Sequence, residues 1–547
     1  MLRHCHKNLK NRAWNCGGAR STSSAKSTDK TEGILNAAQT PDYTLVQKTI
    51  YRANRLRNAV EAEGKTGLRV GLAGAFLVGV LIATAFISSA TEGGLLIVAA
   101  GVIGGYMALN IGANDVANSM GPAVGSRAIT MGGALLIAAV GNTAGAVIAG
   151  GDVVSTISKG IIDPSLMPDI GIFITAMMAA LLAAALWLNL ATYVGAPVST
   201  THAIVGGVMG AGIAATGISA VNWITMAKIA ASWVISPLMG GIIAALFLTL
   251  VRRTILFKPD RIAAARRWVP VLVGIMCSAF AMYLMVKGLK RVWKFDGEMV
   301  AVAGVAVFLL SWFAVRPFIA RQSVGLENRK KAVHGLFAVP LICAAGLLTF
   351  AHGANDVANA VGPLAAIVGS LTSGEITAKV VVPIWVLIIG GLGISIGLGI
   401  FGPRLVRTVG EKITKINPIR AFCVALSAAI TVLIASALGL PVSSTHIAVG
   451  GVFGVGFLRE VLHYRISAAR AARLQPEAPL VAQPVGAAIA TEITIPAKPK
   501  KKKKKRKLVR RKHVTTIIAA WLVTVPLAAF LAAFLFFVLH YGKEMPF

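Results

Sequence analysis

The sequence predicts an all-α polytopic membrane protein, built as an inverted-topology repeat with about 12–13 membrane segments that include broken or half-length helices. Three observations carry this reading. Apolar runs recur from Leu68 to Tyr541, and about 20 apolar residues are needed to cross ~30 Å of hydrocarbon. Charged residues make up only 14% of the chain and hydrophobic ones 56%, whereas a soluble domain carries about 25% charged residues. Two polar motifs each occur twice, and equivalent loops around them carry opposite charge.

Residues 1–66 form a polar, basic tail. Arg3, Lys7, Lys10, Arg12, Arg20 and Lys26 occur in its first part without an acid, which suits a cytoplasmic tail better than an organelle transit peptide. Apolar segments follow at about 68–90, 95–111, 128–151, 170–195, 203–217, 224–251, 269–289, 298–315, 335–352, 377–402, 419–440, 446–458 and 514–541. They divide the chain into a first membrane helix (67–94), a first repeat (95–251), a connecting region with basic loops and two helices (252–334), a second repeat (335–541) and a short tail (542–547). Within the second repeat, 459–513 reads as a disordered linker. Pro476, Pro479, Pro484, Pro496 and Pro499 punctuate it, and a basic run from Lys498 to Lys512 ends it. Such a run beside a membrane helix is expected to lie on anionic lipid.

The formal charge of +33 sits in the tails and in certain loops, which is the positive-inside pattern of a membrane protein and not a nucleic-acid-binding surface. Cys5, Cys16, Cys277, Cys343 and Cys423 show no CxxC spacing and require neither a disulfide nor a metal cluster.

The repeat is read directly from the letters. Gly112-Ala-Asn-Asp-Val-Ala-Asn118 recurs as Gly353-Ala-Asn-Asp-Val-Ala-Asn359, each soon followed by Gly-Pro (Gly121-Pro122 and Gly362-Pro363). Pro197-Val-Ser-Thr-Thr-His202 recurs as Pro441-Val-Ser-Ser-Thr-His446 at nearly the same separation. Trp233 leading to Pro237 matches Trp521 leading to Pro526. The loop 152–169 holds Asp152, Asp163 and Asp169 against Lys159, while its counterpart 403–420 holds Arg404, Arg407, Lys412, Lys415 and Arg420 against Glu411. Equivalent loops of opposite charge belong on opposite sides of the membrane. Loops 252–267 and 316–331 are basic and cytoplasmic on the same trace, which puts the C-terminus outside. The mildly basic stretch at Lys290, Arg291 and Lys294 falls on the outer side and has no explanation at this level. Inverted repeats are the construction of many secondary transporters, with substrate held near the midplane.

The motifs suggest the chemistry. On a helix, Asn114, Asp115 and Asn118 share a face, as do Asn355, Asp356 and Asn359. The following Gly-Pro is expected to break the helix and leave carbonyls free at membrane depth. An ionisable residue at that depth marks a pathway. Ser199, Thr200 and Thr201, and likewise Ser443, Ser444 and Thr445, have the composition of a helix start whose N–H groups and hydroxyls suit an oxyanion. The apolar stretches after them, 203–217 and 446–458, are short enough to read as half-helices. His202 and His446 are either proton carriers or makers of one structural hydrogen bond. Arg127 has no equivalent in the second copy, so it lies outside the repeated chemistry. An anion can share a site with two carboxylates only if cations enter too. Asp115 and Asp356 are therefore candidate Na⁺ ligands or protonation sites.

These residues resemble the inorganic phosphate transporter family, whose members carry a duplicated signature of this type in two inverted halves. The resemblance implies import of inorganic phosphate with Na⁺ or H⁺ as coupling ion and no other cofactor. It places Asn114, Asp115, Asn118, Asn355, Asp356 and Asn359 around the ion and phosphate site, with Ser199, Thr200, Thr201, Ser443, Ser444 and Thr445 as donors. Ser119-Met120 departs mildly from the family pattern and leaves the polar residues intact. The expected location is a bacterial inner (plasma) membrane, with an organelle envelope as the alternative; a homo-oligomer is compatible with it. A sulfate permease on the same scaffold is the nearest rival. Sulfate needs only donors, whereas phosphate benefits from an acceptor for its P–OH, which Asp115 or Asp356 could supply. HExxH and P-loop motifs are absent from the sequence, which argues against a metalloprotease-type enzyme or an ATP-driven pump.

Overall fold

The computed structural model describes residues 67–194, 198–289, 293–376, 382–408, 417–473 and 511–542. The tail 1–66, the linker from 474 to 510 and residues 543–547 lie outside them. The chain begins with α1 (Gly67–Ile87). The first repeat comprises α2 (Gly94–Gly125), α3 (Met131–Ala149), the short α4 (Gly151–Ser155), α5 (Ile170–Val194), α6 (Thr200–Thr216) and α7 (Trp223–Val251). The connecting region holds α8 (Arg261–Tyr283), α9 (Gly297–Gln322) and the short α10 (Lys330–Leu336). The second repeat comprises α11 (Ala338–Asp356), α12 (Ala358–Ser373), α13 (Ile384–Thr408), α14 (Pro418–Ala437), α15 (Ser444–Arg473) and α16 (Arg511–Tyr541). Among the described residues, 12 helices are long and apolar enough to cross a membrane.

The absence of water in a bilayer core forces each segment to satisfy its own backbone, which only a helix can do here. Side chains close the exposed helix starts. Asn222 accepts from the amide of Thr225, Asp260 from those of Ile262 and Ala263, and Asn417 from that of Arg420, with Pro418 in the first turn. Leu238, Ile242 and Leu246 of α7, four residues apart, are 63%, 47% and 63% exposed. Such an apolar stripe is lipid-facing surface in a membrane protein.

Helix contacts show how the repeats interlock. Gly393 and Gly397 of α13 pack on Gly105 and Leu109 of α2, in the same chain sense, so α2 and α13 are parallel. Gly391 lies on Ala146 of α3, whereas Ser395 bonds the Ala139 carbonyl, so α3 and α13 are antiparallel. Gly141 and Gly145 of α3 meet Thr349 and Phe350 of α11, and Gly346 meets Ile137, so α3 and α11 are parallel. The two signature helices, α2 and α11, therefore run in opposite directions. The second motif repeats the pattern. Gly206 and Gly210 of α6 pack on Val525 and Ala529 of α16, and Gly450 and Gly454 of α15 pack on Pro237 and Gly241 of α7. Each helix of one repeat thus rests on the other repeat, with small residues permitting the close approach.

Two expectations are corrected. The Gly-Pro pairs do not end their helices. α2 runs through Pro122 to Gly125, and Pro363 lies inside α12. The turn between α11 and α12 falls earlier, at Val357, whose backbone stays helical (φ −57°, ψ −32°). In a protein-packed membrane helix a proline removes one donor without stopping the chain. The carbonyl left without its amide is four residues earlier, which is Asn118 in one copy and Asn359 in the other. The stretch after His446 is also not a half-helix. α6 stops after 17 residues, where Gly217 takes φ 88°. No glycine follows Gly456 before Arg473, and α15 continues for 30 residues. The part of the expected linker from 459 to 473 is therefore helical, and 474–510 lies outside the described residues.

The acidic loop is accounted for residue by residue. Asp163 accepts from the amide and hydroxyl of Ser165, which hold its carboxyl below the usual carboxylate range. Asp169 accepts from the Ile172 amide at the start of α5. Asp152 pairs with Lys287 at 3.1 Å. Lys287 lies in the π-helical turn that ends α8; Lys290 and Arg291 of the unexplained basic stretch lie outside the described residues.

Candidate functional site

The signature glycines decide where the site forms. A Cβ on Gly112 would sit 1.9 Å from the Ile394 carbonyl oxygen, and one on Gly353 would sit 2.1 Å from that of Asn142. Only a residue without a side chain lets α2 approach α13, and α11 approach α3, this closely, so the polar residues that follow are buried between helices. Asp115 is 1% exposed and Asp356 0%.

A carboxylate at that depth must be hydrogen-bonded. Asp115 accepts from Thr200 at Oδ2 and from Thr445 at Oδ1, each at 2.9 Å. Asp356 accepts from Ser444 at Oδ2 (2.7 Å), and Nε2 of His352, one turn earlier, stands 2.8 Å from the same oxygen. The same His352 nitrogen is 3.8 Å from Asp115 Oδ2, and its Nδ1 meets Asn142 Oδ1 at 2.7 Å. Asn118 donates to Thr445 (2.7 Å), and Asn359 donates to Thr200 and Thr201 (3.2 Å each). The first turns of α6 and α15 thus supply hydroxyls to both signature helices, across the repeat boundary as well as within each repeat.

The pseudo-symmetry is broken at one place. Thr201 and Thr445 are equivalent positions, and both accept from a signature Asn. Thr445 then donates to Asp115, whereas Thr201 donates to the Val442 carbonyl at 3.0 Å. Asp356 Oδ1, the counterpart of the oxygen that Thr445 satisfies, has no hydrogen-bond partner among the described residues. Asn114 Oδ1 and Asn359 Oδ1 are buried without one too. A buried acceptor left alone costs about 1–3 kcal/mol. All three are acceptors, and His352 Nε2, 2.8 Å from Asp356, stands beside the carboxylates. Asp115, His352 and Asp356 offer ligand atoms within 4.8 Å of one another.

Other predicted residues are placed differently. Asn355 is used up structurally, donating to Ser436 and the Leu440 carbonyl while accepting from the Val442 amide. The Asn114 amide reaches Thr192 at 3.4 Å. Ser199 and Ser443 cap α6 and α15 by accepting from the amides of His202 and His446. His202 Nδ1 meets the Ser199 hydroxyl, and its ring stacks on Trp233 at 3.7 Å, which is the structural-hydrogen-bond alternative of the two readings. Arg127 is exposed beyond the end of α2 with φ 62°. His352 and its partner Asn142 are additions that the repeat comparison passes over, because Ile111 stands at the position equivalent to His352. The signal was an ionisable residue inside an apolar run, directly before the second signature.

Residues 111–532 match the model of the phosphate transporter family. The chain belongs to the phosphate transporter family. A "Putative phosphate permease" of Helicobacter pylori is 48% identical over 515 residues, covering 88% of this chain and 96% of the relative. A permease so described from Pyrococcus abyssi is 43% identical over 360 residues, 66% of this chain and 88% of its own length. Among solved structures, one titled "The sodium-dependent phosphate transporter" aligns with a TM-score of 0.70 and 34% identity over 82% of this chain and 99% of its own. As a family member the chain is a polytopic membrane transporter and not an enzyme.

Proposed function

We propose that the protein imports inorganic phosphate by symport with Na⁺, across a bacterial inner membrane, through alternating access of its two inverted repeats. The observation that carries this reading is the chemical division of the buried centre. Two carboxylates and three unpaired amide or carboxylate oxygens ask for a cation, and the hydroxyls and N–H groups at the starts of α6 and α15 suit a tetrahedral oxyanion. Neither half of this site is electrostatically comfortable without the other, which is the physical basis of coupling. Asp356, Asn359 and Asn114 are the cation ligands in this reading, with Asp115 the carboxylate shared between cation and phosphate. Thr200, Thr445 and Ser444, whose hydroxyl protons rest on Asp115 and Asp356, and Thr201, whose proton rests on the Val442 carbonyl, are the donors once they turn those protons to phosphate, and Asn118 and Asn359 orient them. Na⁺ is favoured over H⁺ because the unpaired atoms include amide oxygens, which coordinate a metal ion but do not take up a proton at neutral pH. The solved relative titled as sodium-dependent supports the same choice.

The experiment is uptake of labelled phosphate into proteoliposomes under a Na⁺ gradient or a pH gradient imposed separately, with unlabelled sulfate as competitor. Uptake driven by Na⁺ and resistant to sulfate is expected. Uptake driven only by the pH gradient would reassign the coupling ion, and uptake erased by sulfate would reassign the anion.

A further inference from the structure

Away from the transport centre, α8 and α9 enclose a crevice of about 820 Å³. Arg266, Arg267 and Arg316 line one end, and Val271, Phe308 and Leu309 line the other. We propose that this crevice binds an anionic phospholipid, its head-group phosphate held by the three guanidinium groups and its acyl chain lying on the apolar floor.

Charge is the first argument. No carboxylate lies within ion-pair distance of the three arginines among the described residues. Arg266 is oriented by Ser323, donating to its hydroxyl and its carbonyl. Arg316 lies 5.3 Å above the ring of Trp312. Both groups are thereby fixed at the rim without being neutralised. Planar guanidinium forks match phosphate oxygens in geometry as well as charge.

Depth is the second argument. Arg316 and Phe308 are eight residues apart on one helix, which corresponds to about 12 Å of rise. That spans the distance from a head-group region into the acyl layer. The basic end is the cytoplasmic one by the charge of loops 252–267 and 316–331, and basic pockets between membrane helices on that side suit anionic head groups. Trp312 sits between the two zones, as interfacial aromatic residues do.

The occupant follows from these two facts. A soluble acidic segment could neutralise the arginines but could not reach Phe308 and Leu309. A second copy of the chain would cover the exposed Leu310 and Phe313 (69% and 59%) and leave the arginines unpaired. Free inorganic phosphate would use the arginines and ignore the floor. A lipid uses both.

The test is native mass spectrometry of the delipidated full-length protein titrated with phosphatidylglycerol or phosphatidylcholine. The wild type is expected to retain phosphatidylglycerol in preference to phosphatidylcholine. The R266Q/R267Q/R316Q variant should bind phosphatidylglycerol roughly a hundredfold more weakly, while K258Q/K330Q, which alters exposed lysines at the same end, should bind as wild type. Phosphate uptake and thermal unfolding check that the triple variant is folded; if it is not, R267Q alone carries the test, with about a fivefold loss expected. Unchanged phosphatidylglycerol binding in the folded variant overturns the proposal, as does equal retention of the two lipids by the wild type. Displacement of the lipid by millimolar inorganic phosphate would assign the arginines to free phosphate and also overturn it.

Discussion

Thr445 donates to Asp115 at 2.9 Å while accepting from Asn118 at 2.7 Å, so one hydroxyl of the second repeat satisfies two signature residues of the first. Its counterpart Thr201 accepts from Asn359 but gives its proton to the Val442 carbonyl. The two copies of one motif therefore play unequal parts. Thr445→Ala should cost about 1.5–3 kcal/mol of site stabilisation, the range for a hydrogen bond to a charged group, and lower kcat/KM for phosphate by about 10- to 100-fold. Thr445→Ser should retain most activity, and Thr201→Ala should be milder because Thr200 still receives the Asn359 amide. Initial-rate uptake of the three variants checks this order.

The broken symmetry also separates the two carboxylates. Asp356 carries the unpaired oxygen, so Asp356→Asn should abolish the dependence of uptake on Na⁺ together with coupled accumulation. Asp115→Asn should abolish accumulation by disturbing cation and phosphate at once. Expression and helix content should persist in both variants, since neither group forms a backbone contact. Full Na⁺-driven accumulation in both would contradict the assignment.

Gly353 is a packing residue, with the Asn142 backbone where a Cβ would go. Gly353→Ala should move α11 away from α3 and lower thermal stability by roughly 1–3 kcal/mol, the cost of overpacking a close contact. Gly399, with nothing within 4 Å of a built Cβ, is the matched control, and Gly399→Ala should leave stability within about 0.5 kcal/mol of wild type. Thermal unfolding of both variants in detergent measures the difference.

The pair of Lys287 and Asp152 joins α8 to α4 at partly exposed positions, 24% and 26% accessible. A pair so exposed contributes little, so a double-mutant cycle of Lys287→Ala and Asp152→Ala should give a coupling of about 0–1 kcal/mol that falls with salt. A coupling of several kcal/mol would mean that the pair is shielded from solvent in the membrane.

The architecture was legible in the sequence because its determinants are local or duplicated. Apolar length gave the helices, and the repeated Gly112 and Gly353 signatures gave the two halves. Loop charge gave the opposed directions that the packing of α2, α3, α11 and α13 displays. Helix ends were less legible. Proline punctuation at Pro122 and Pro363 reads as a stop by local rules, yet helices packed on other helices run through it, and α15 continues because nothing after Gly456 stops it. The buried polar cluster was legible where chemistry is repeated, in Asp115, Asp356, Thr200, Ser444 and Thr445. It was not legible where the copies differ. His352 has Ile111 as its equivalent, and the different uses of Thr201 and Thr445 depend on which acceptor lies within reach in three dimensions.

The central claim is that cation and phosphate occupy one coupled site. Equilibrium binding of labelled phosphate to the purified protein, measured at rising Na⁺ with choline as the balancing cation, tests it most directly. Coupling through shared residues requires that Na⁺ tighten phosphate binding and that phosphate tighten Na⁺ binding by the same factor, about 5- to 150-fold for typical linkage. The effect should vanish in Asp356→Asn. Phosphate affinity independent of Na⁺ in the wild type would contradict the account.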